Sequence, residues 1–390
     1  MATLAAAEEF PGVPSLSPSK PTPGKTETAT LPNGMKLASC ETSTGLVSMN
    51  FWLHAGCNKE TFEQKGAAHL LAVGAFAGNE QFTGLSLIRD LDVLGAKITT
   101  MACREMVRVG VTVSSDNVME VAELLNHNFS SSVSAFLFKE TKTWAKKDYD
   151  NLTTSPTAML NELIYEAAYG NASPLTNLYA ENLDKVDTHA VVDFRNTHML
   201  SGNVNLTAHG LSMEALKGVA STFSLPDGNT AAPSATYTGG EAKIRTSYGS
   251  SAVSIAFPSS TGDSSIDVIQ KEIVYKACGM PVVPFKGTGI MGFHVIGDAA
   301  TVNTSLITIA NEMKAIATGT NTATAATANV NLGMKMNDHL MAKLLFNSTD
   351  ATAASVKAAA ASCLSAAPAF ATLGNVPGTP DYTAVKGMFK

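Results

Sequence analysis

One histidine stands where the sequence comes closest to a metal-site motif. The stretch Gly66-Ala67-Ala68-His69 leads into a short apolar run. In the inverted zinc motif, His-x-x-Glu-His, two imidazoles lie on adjacent turns of one helix face, with the glutamate as general base. His69 takes the first position, but Ala72 replaces the glutamate and Val73 replaces the second histidine. Because catalytic zinc takes three protein ligands and a water, His69 alone forms no such site.

Other motifs give no stronger indication of chemistry. Neither a Gly-x-Ser-x-Gly nucleophile elbow nor a Walker motif occurs in the sequence. The segment Gly287–Gly292 has the Gly-x-Gly-x-x-Gly spacing, but no acidic residue in a βαβ context follows it, so we predict a tight loop there and not a dinucleotide site. The remaining histidines form no pair at the helical spacing of metal ligands: His54, His127, His189, His198, His209, His294 and His339. Without further context, His69 is interpreted as a core histidine.

Composition describes a globular protein with few charges. The chain has 390 residues, of which 45% are apolar and 15% charged, and its net charge of −6 gives no reason to expect nucleic-acid binding. The longest apolar stretches, such as Leu70–Ala77, are too short to span a bilayer. Five scattered cysteines without a Cys-x-x-Cys pair favour a reducing compartment. The first arginine is Arg89, so the N-terminus does not look like a mitochondrial presequence.

The first half alternates strand and helix patterns in an order that is not strictly βαβ. Residues 1–25 contain five prolines and predict an extended arm, either a disordered tail or a segment lying along a partner subunit. Residues 26–225 are predicted to form the first domain. Its elements are a hairpin over Thr26–Cys40 turning at Asn33-Gly34, a strand over Val47–Leu53, the helix of His69, a helix over Leu85–Leu94, a strand over Val107–Val113, a helix capped by Asp116, helices over Lys139–Tyr169 broken near Pro156, and a strand over Asn203–His209.

The second half begins with a similar pattern and is shorter. Residues 226–238 lack periodicity and are interpreted as a linker to a second domain over residues 239–390. A strand, a turn and a strand over Ala242–Phe257 and a helix over Ile266–Ala277 suggest a weak internal repeat. A low-complexity segment over Thr318–Asn331 precedes an alanine-rich helix that Asp350 could cap. The predicted fold class is α+β, with two mostly antiparallel sheets, each with helices packed on one face.

Three motifs in order carry a resemblance to a known family. They are Leu31-Pro32-Asn33-Gly34, Ala55-Gly56-Cys57 and Gly66-Ala67-Ala68-His69. Together they resemble the pitrilysin family of inverted-motif zinc peptidases, in the branch of the mitochondrial processing peptidase and the core proteins of ubiquinol–cytochrome c reductase. The resemblance covers most of the chain and is loose over residues 279–347. It implies two homologous α+β halves, the second of which has lost a helical segment.

The same resemblance indicates where the family's third zinc ligand, a glutamate, would lie. Aligning the stretch Ala168-Tyr169-Gly170-Asn171 places that position at about Asp148. A shorter carboxylate without histidine partners does not make a site. We therefore expect no catalytic, cofactor-binding or metal-binding residues, and only the vestigial motif positions His69, Ala72, Val73 and Asp148.

Further stretches resemble the non-catalytic core subunits of the respiratory complex: Leu70-Leu71, Arg104-Glu105-Met106 and Leu373–Pro380. The resemblance implies a structural subunit of mitochondrial complex III, peripheral on the matrix side of the inner membrane. Its implied partners are core protein 1 and the cytochrome b, cytochrome c-type and Rieske subunits of a dimeric complex, and it would hold no haem, iron–sulfur cluster or quinone.

Two alternatives remain open. The first is a non-catalytic α subunit of the processing peptidase, which presents presequences to an active partner. Such subunits carry a long glycine-rich loop, which the short, apolar stretch Lys276–Gly297 matches poorly. The second is an active metalloprotease, against which the missing zinc ligands argue.

Overall fold

The computed structural model describes most of the chain between Thr26 and Phe389. The described ranges are 26–42, 45–79, 81–131, 135–176, 178–179, 183–231, 235–245, 251–260, 264–319, 352–374 and 378–389. The predicted arm over residues 1–25, almost all of the low-complexity segment and the predicted cap Asp350 lie outside these ranges. The elements and contacts of the fold and the site are those of these residues.

The first sheet has six strands in the order β1-β2-β6-β3-β5-β4. Its strands are β1 (Thr26–Thr30), β2 (Lys36–Cys40), β3 (Leu46–Leu53), β4 (Lys97–Ala102), β5 (Val107–Ser114) and β6 (Val204–His209). Only the β2–β6 pair is parallel. Alternate residues of β3 and β5 pair across the ladder, for example Met49 with Val111 and Phe51 with Val109, and these side chains form the core. The strict apolar alternation of β5 thus places one face of the sheet against the helices.

Seven helices lie between or after the strands of this half in the described part of the chain. They are α1 (Ala67–Val73), α2 (Gly84–Val93), α3 (Val118–Ser130), α4 (Ala135–Thr154), α5 (Pro156–Tyr169), α6 (Thr188–His198) and α7 (Met213–Thr222). Pro156 occupies the first turn of α5, where its missing N–H costs nothing, and it separates α5 from α4 as predicted. Most of the helices cover the apolar face of the first sheet, and α1 is buried over nearly its whole length.

The second sheet repeats the first without its outermost strand. It has the order β7-β11-β8-β10-β9, built from β7 (Gly240–Ile244), β8 (Ser251–Pro258), β9 (Val282–Gly287), β10 (Ile290–Gly297) and β11 (Ala369–Gly374). Only β7 and β11 are parallel, as β2 and β6 are in the first sheet. The helices of this half are α8 (Ser264–Lys276), α9 (Ala299–Thr318), α10 (Ala353–Ser365) and α11 (Tyr382–Met388). The predicted α+β fold with two related halves is confirmed.

Helix α5 links the two halves. In the chain it lies between strands of the first sheet, yet it packs on β7, β8 and β11 of the second. Its apolar residues Leu160 and Ile164 join a cluster with Ala256 and Ala371. The opposite face of the second sheet packs against its own helices through residues such as Val253 and Phe370. The two sheets therefore share a helix.

Several local predictions need correction. Asp116 does not cap α3, because it lies in a 3₁₀ turn and the cap position is Asn117. The turn at Asn33-Gly34 is a five-residue loop, closed by hydrogen bonds between Leu31 and Met35 and between Gly34 and Leu31. The helix expected after Asp350 is capped by Thr352, whose hydroxyl accepts from the Ser355 N–H at 3.2 Å.

One predicted loop and two predicted strands are confirmed, but the strands are not neighbours in the sheet. The glycines at 287 and 289 lie at the turn of the antiparallel β9–β10 hairpin, which excludes the strand–helix geometry of a dinucleotide site. The two strands expected over Ala242–Phe257 are present as β7 and β8, but they do not pair with each other, because β11 lies between them. No helix in the described part of the chain is both long and apolar enough to cross a membrane.

Candidate functional site: the His69–Asp148 cavity

A buried glutamate side chain fixes the start of the helix that carries His69. Glu60 accepts hydrogen bonds from the backbone N–H groups of Gly66 at 2.9 Å and Ala68 at 2.7 Å. Gly66, with a φ of 86°, adopts the left-handed conformation that lets the chain turn into α1. These are donors that a helix start leaves unpaired, and a side chain satisfies them here instead of water. The orientation of His69 is therefore set by the backbone of α1.

The structure brings His69 and Asp148 together, although they are far apart in the chain. The Nε2 atom of His69 lies 3.4 Å from Oδ2 of Asp148, on α4. His69 is 3% exposed, and its ring meets the ring of Tyr179 edge-on, with centroids 4.7 Å apart. Its Nδ1 atom is buried and has no hydrogen-bond partner among the described residues. Asp148 is half exposed, so one end of the pair faces solvent.

The other two motif positions, Ala72 and Val73, lie beside this pair in one cavity of about 390 Å³. One wall is the edge strand β4, and another is the C-terminal half of α4. The full lining is His69, Ala72, Val73, Thr100, Met101, Ala102, Asp148, Asn151, Leu152, Ala158 and Tyr179. All four predicted motif positions thus face a common space.

The electrostatics of the cavity favour a neutral imidazole. Burial lowers the pKa of His69, while the hydrogen bond and charge of Asp148 act in the opposite direction. Burial also raises the pKa of the Tyr179 phenol, and the nearby carboxylates of Glu162 and Asp148 add to this. The cavity therefore contains a neutral imidazole, an ionisable carboxyl group and a protonated phenol.

This donor set does not fit the zinc ion of inverted-motif peptidases. A catalytic zinc site needs three protein ligands and an open position for water, and its mechanism needs a carboxylate base. The cavity offers one imidazole nitrogen and one aspartate, and methyl groups occupy the positions of the missing base and ligand. In the described ranges, no group of three or more His, Cys, Asp or Glu side chains could hold a metal. That no residue of the chain is catalytic or binds a metal remains a prediction.

Sequence reasoning missed the residues that hold Tyr179 over His69. Arg104 forms an ion pair with Glu162 of α5 at 2.7 Å and donates to the carbonyl of Leu175 at 3.0 Å. Glu162 also accepts from the N–H of Leu178 at 3.0 Å. The Arg104 guanidinium lies 3.5 Å from the ring centroid of Tyr165. No spacing in the sequence pointed to this cluster, because its members come from three separate segments.

Comparison with known proteins places the cavity within a recognised domain. Residues 36–180 match the family described as Insulinase (Peptidase family M16). The matched region includes His69, Ala72, Val73 and Asp148, together with the strand β4 that lines the cavity.

The relatives found include subunits of the cytochrome b-c1 complex and of the mitochondrial processing peptidase. Human cytochrome b-c1 complex subunit 2 is 25% identical over 336 residues, covering 77% of this chain and 73% of that protein. A probable mitochondrial-processing peptidase subunit alpha-1 from Arabidopsis thaliana is 29% identical over 245 residues, covering 60% of this chain. This chain spans 48% of the length of the Arabidopsis protein. Mouse cytochrome b-c1 complex subunit 1 is 25% identical over 191 residues, 48% of this chain.

Proposed function

We infer that this chain, a member of the M16 peptidase family, is a non-catalytic core subunit of the mitochondrial cytochrome b-c1 complex, corresponding to core protein 2. The observation that carries the inference is the cavity around His69. It contains all four positions of the family's zinc motif, but Ala72 and Val73 take the place of the base and the second histidine. Without a metal or a base, the cavity cannot activate water for peptide hydrolysis.

The extent of the similarity supports the same function. The match to human subunit 2 of the cytochrome b-c1 complex extends over 77% of the chain and so covers both halves. The matches to two processing-peptidase α subunits of Arabidopsis cover 60% of the chain at 29% identity and 76% of it at 22% identity. At a coverage of 76–77%, the subunit 2 sequences from human, rat and mouse are 23–25% identical to this chain, slightly more than the α subunit that covers as much.

The proposed place of the chain follows from this identity. It pairs with core protein 1 and lies peripherally on the matrix side of the inner membrane, beneath the cytochrome b, cytochrome c-type and Rieske subunits. The absence of a spanning helix in the described residues is compatible with a peripheral position. The chain supports assembly of the oxidoreductase and takes no part in electron transfer.

The alternative function is that of a processing-peptidase α subunit, which the 29% identity to the Arabidopsis protein favours. Co-purification separates the two. A tagged full-length chain should bring down cytochrome b, the Rieske protein and core protein 1 from detergent extracts of mitochondria. Recovery of a single soluble zinc-containing β subunit, without cytochromes, would establish the alternative instead.

A further inference from the structure

The turn of the β9–β10 hairpin lies against the first half of the chain. The antiparallel pairing of the two strands ends where Gly287 lies opposite Ile290, so Thr288 and Gly289 form the turn between them. In the sequence, this stretch has the glycine spacing of a nucleotide-binding loop. The structure places it instead against α5 and the β4–β5 turn, both of which belong to the first half.

Three side chains of the first half bind Thr288. The hydroxyl of Tyr169 donates to the Thr288 carbonyl at 3.1 Å, and the hydroxyl of Tyr165 is hydrogen-bonded to the Thr288 backbone. From the β4–β5 turn, the carboxyl group of Glu105 accepts a hydrogen bond from the Thr288 side chain. The two tyrosine rings are stacked, with centroids 6.0 Å apart. One residue of the second half is therefore held by two separate segments of the first.

The glycines on either side of Thr288 make this close approach possible. A methyl group on Gly287 would overlap the hydroxyl of Tyr165, and one on Gly289 would overlap the hydroxyl of Tyr169. Gly289 also has a φ of 70°, which residues with a side chain rarely adopt. Contact with the two tyrosines thus explains the glycines of this turn.

The same contacts extend to the cavity that contains the zinc-motif positions. Glu105 follows Arg104, which pairs with Glu162 of α5 at 2.7 Å. The other carboxylate oxygen of Glu162 accepts from the N–H of Leu178 at 3.0 Å, and Leu178 precedes Tyr179, which lines the cavity. A continuous series of covalent and hydrogen-bonded neighbours therefore joins the hairpin turn of the second half to one wall of the cavity.

We propose that the Gly287–Gly289 turn is a latch. While it holds Glu105, the β4–β5 turn stays in place and Tyr179 is fixed at the cavity wall; when it withdraws, that wall becomes mobile. Helix α5 remains on the second sheet through apolar residues such as Leu160, so the latch opens locally and the halves stay together. The latch is independent of the function proposed above, because contacts within the chain alone form it.

A buried cysteine beneath the β4–β5 turn reports on the latch. Cys57 is fully buried, and the N–H groups of its neighbours Gly56 and Asn58 donate to the carbonyls of Glu105 at 3.1 Å and Arg104 at 2.9 Å. Burial raises the pKa of the Cys57 thiol well above its ordinary value. Since the thiolate is the reactive form, Cys57 should react with a thiol reagent only when the β4–β5 turn moves away.

Labelling of the native full-length chain with N-ethylmaleimide, resolved by site with mass spectrometry, tests the proposal. Thr288→Val removes the donor to Glu105 and keeps the shape of the side chain, so Cys57 should react roughly threefold to tenfold faster. Cys363, which is buried in the second half, should keep its wild-type rate. An equal acceleration at both cysteines would show that the contact serves only the overall stability of the fold, and this would overturn the proposal.

A glycine variant tests the same latch without removing a hydrogen-bonding group. Gly287→Ala should accelerate the labelling of Cys57 at least as much as Thr288→Val, because its methyl group forces the turn away from Tyr165. Adding Tyr165→Phe should reverse part of this effect, since the hydroxyl that the methyl group meets is gone. Gly218→Ala on α7 is the matched control, because an added methyl group there meets no described atom within 4 Å.

Hydrogen exchange at the Leu178 amide tests the link to the cavity. Exchange there should accelerate in Thr288→Val and Gly287→Ala by about the same factor as the labelling of Cys57. Unchanged exchange at Leu178 beside faster labelling of Cys57 would contradict the link. Unchanged labelling of Cys57 in both variants would contradict the latch itself.

Discussion

At the level of single residues, His69 takes the first position of the zinc motif, but the residues around it supply neither the second histidine nor the base. Its ring is neutral and buried, one nitrogen faces Asp148, and the other has no partner among the described residues. An unsatisfied buried polar atom is a cost to the folded state. The residue is therefore expected to contribute through shape and contact with Tyr179 and not through chemistry.

Replacing His69 by leucine should consequently leave the protein nearly as stable as before. The change removes the unpaired Nδ1 atom and keeps an apolar group of similar size, so the free energy of unfolding should shift by no more than about 1 kcal/mol. Leu70→Ala in the same helix is the comparison, because truncating a fully buried leucine costs about 2–5 kcal/mol. Urea denaturation measures both variants. A loss for His69→Leu as large as that for Leu70→Ala would show a structural role for the imidazole's hydrogen bond.

Metal content gives a second residue-level prediction. The purified chain should contain no stoichiometric zinc by elemental analysis, because the cavity offers one imidazole and one aspartate. The double variant Ala72→Glu, Val73→His should remain almost inactive against peptides, since Asp148 is a shorter carboxylate than the family's glutamate and the surrounding shell was not built for a metal. One tightly held zinc per wild-type chain, lost in His69→Ala, would refute the prediction.

At the level of elements, the Arg104–Glu162 pair connects the β4–β5 turn to α5. Both side chains are largely buried, and Arg104 also stacks on Tyr165. Arg104→Met should lower the free energy of unfolding by about 3–5 kcal/mol, because it leaves the buried charge of Glu162 without its partner. The double variant Arg104→Met, Glu162→Gln should recover part of this loss. Lys243→Met, which breaks a more exposed pair with Glu241, should cost at most about 1 kcal/mol in the same denaturation experiment. If Arg104→Met and Lys243→Met lowered the free energy of unfolding equally, the buried pair would not have the stabilising role proposed for it.

Glu60, which is buried at the start of α1, predicts that the stability of the fold depends on pH. Burial raises the pKa of Glu60 from 4.5 to about 8, while the hydrogen bonds from Ala68 and Gly66 act against the rise. Since the folded state binds this proton more tightly than the unfolded state, the stabilisation is complete below the unfolded pKa and is lost as pH rises through about 8.

The free energy of unfolding should thus fall between about pH 5 and about pH 8.5, and Glu60→Gln should flatten that fall. Exposed Glu63→Gln, three residues away, is the control and should follow the wild type. Parallel pH profiles for wild type and Glu60→Gln would show that another group titrates.

The elements that could be predicted from sequence are those with a local signal. The alternation over Val107–Val113 and the break at Pro156 indicated a strand and a helix boundary correctly. The pairing of β11 between β7 and β8 could not be predicted, because strand neighbours more than a hundred residues apart leave no trace in local periodicity. The packing of α5 on the second sheet could not be predicted either, for the same reason. The meeting of His69 with Asp148 came from family resemblance, since no spacing within the chain joins them.

At the level of the whole molecule, five strands of the first sheet recur in the same order in the second, and the two sheets share helix α5. The cavity that contains the four motif positions belongs to the first half. The proposed function gives this arrangement a purpose. A scaffold of two related halves would offer large surfaces to neighbouring subunits, and that role would not depend on zinc chemistry.

Depleting the chain from mitochondria of its own source tests the proposed function most directly. Ubiquinol–cytochrome c reductase activity and the amount of assembled complex on native gels are measured beside the cleavage of newly imported presequences. If the chain is a structural core subunit, reductase activity and assembled complex fall in proportion to the chain, while presequences continue to be cleaved. Accumulation of uncleaved precursors with a fully assembled, active reductase would contradict the proposal and identify the chain as a processing subunit.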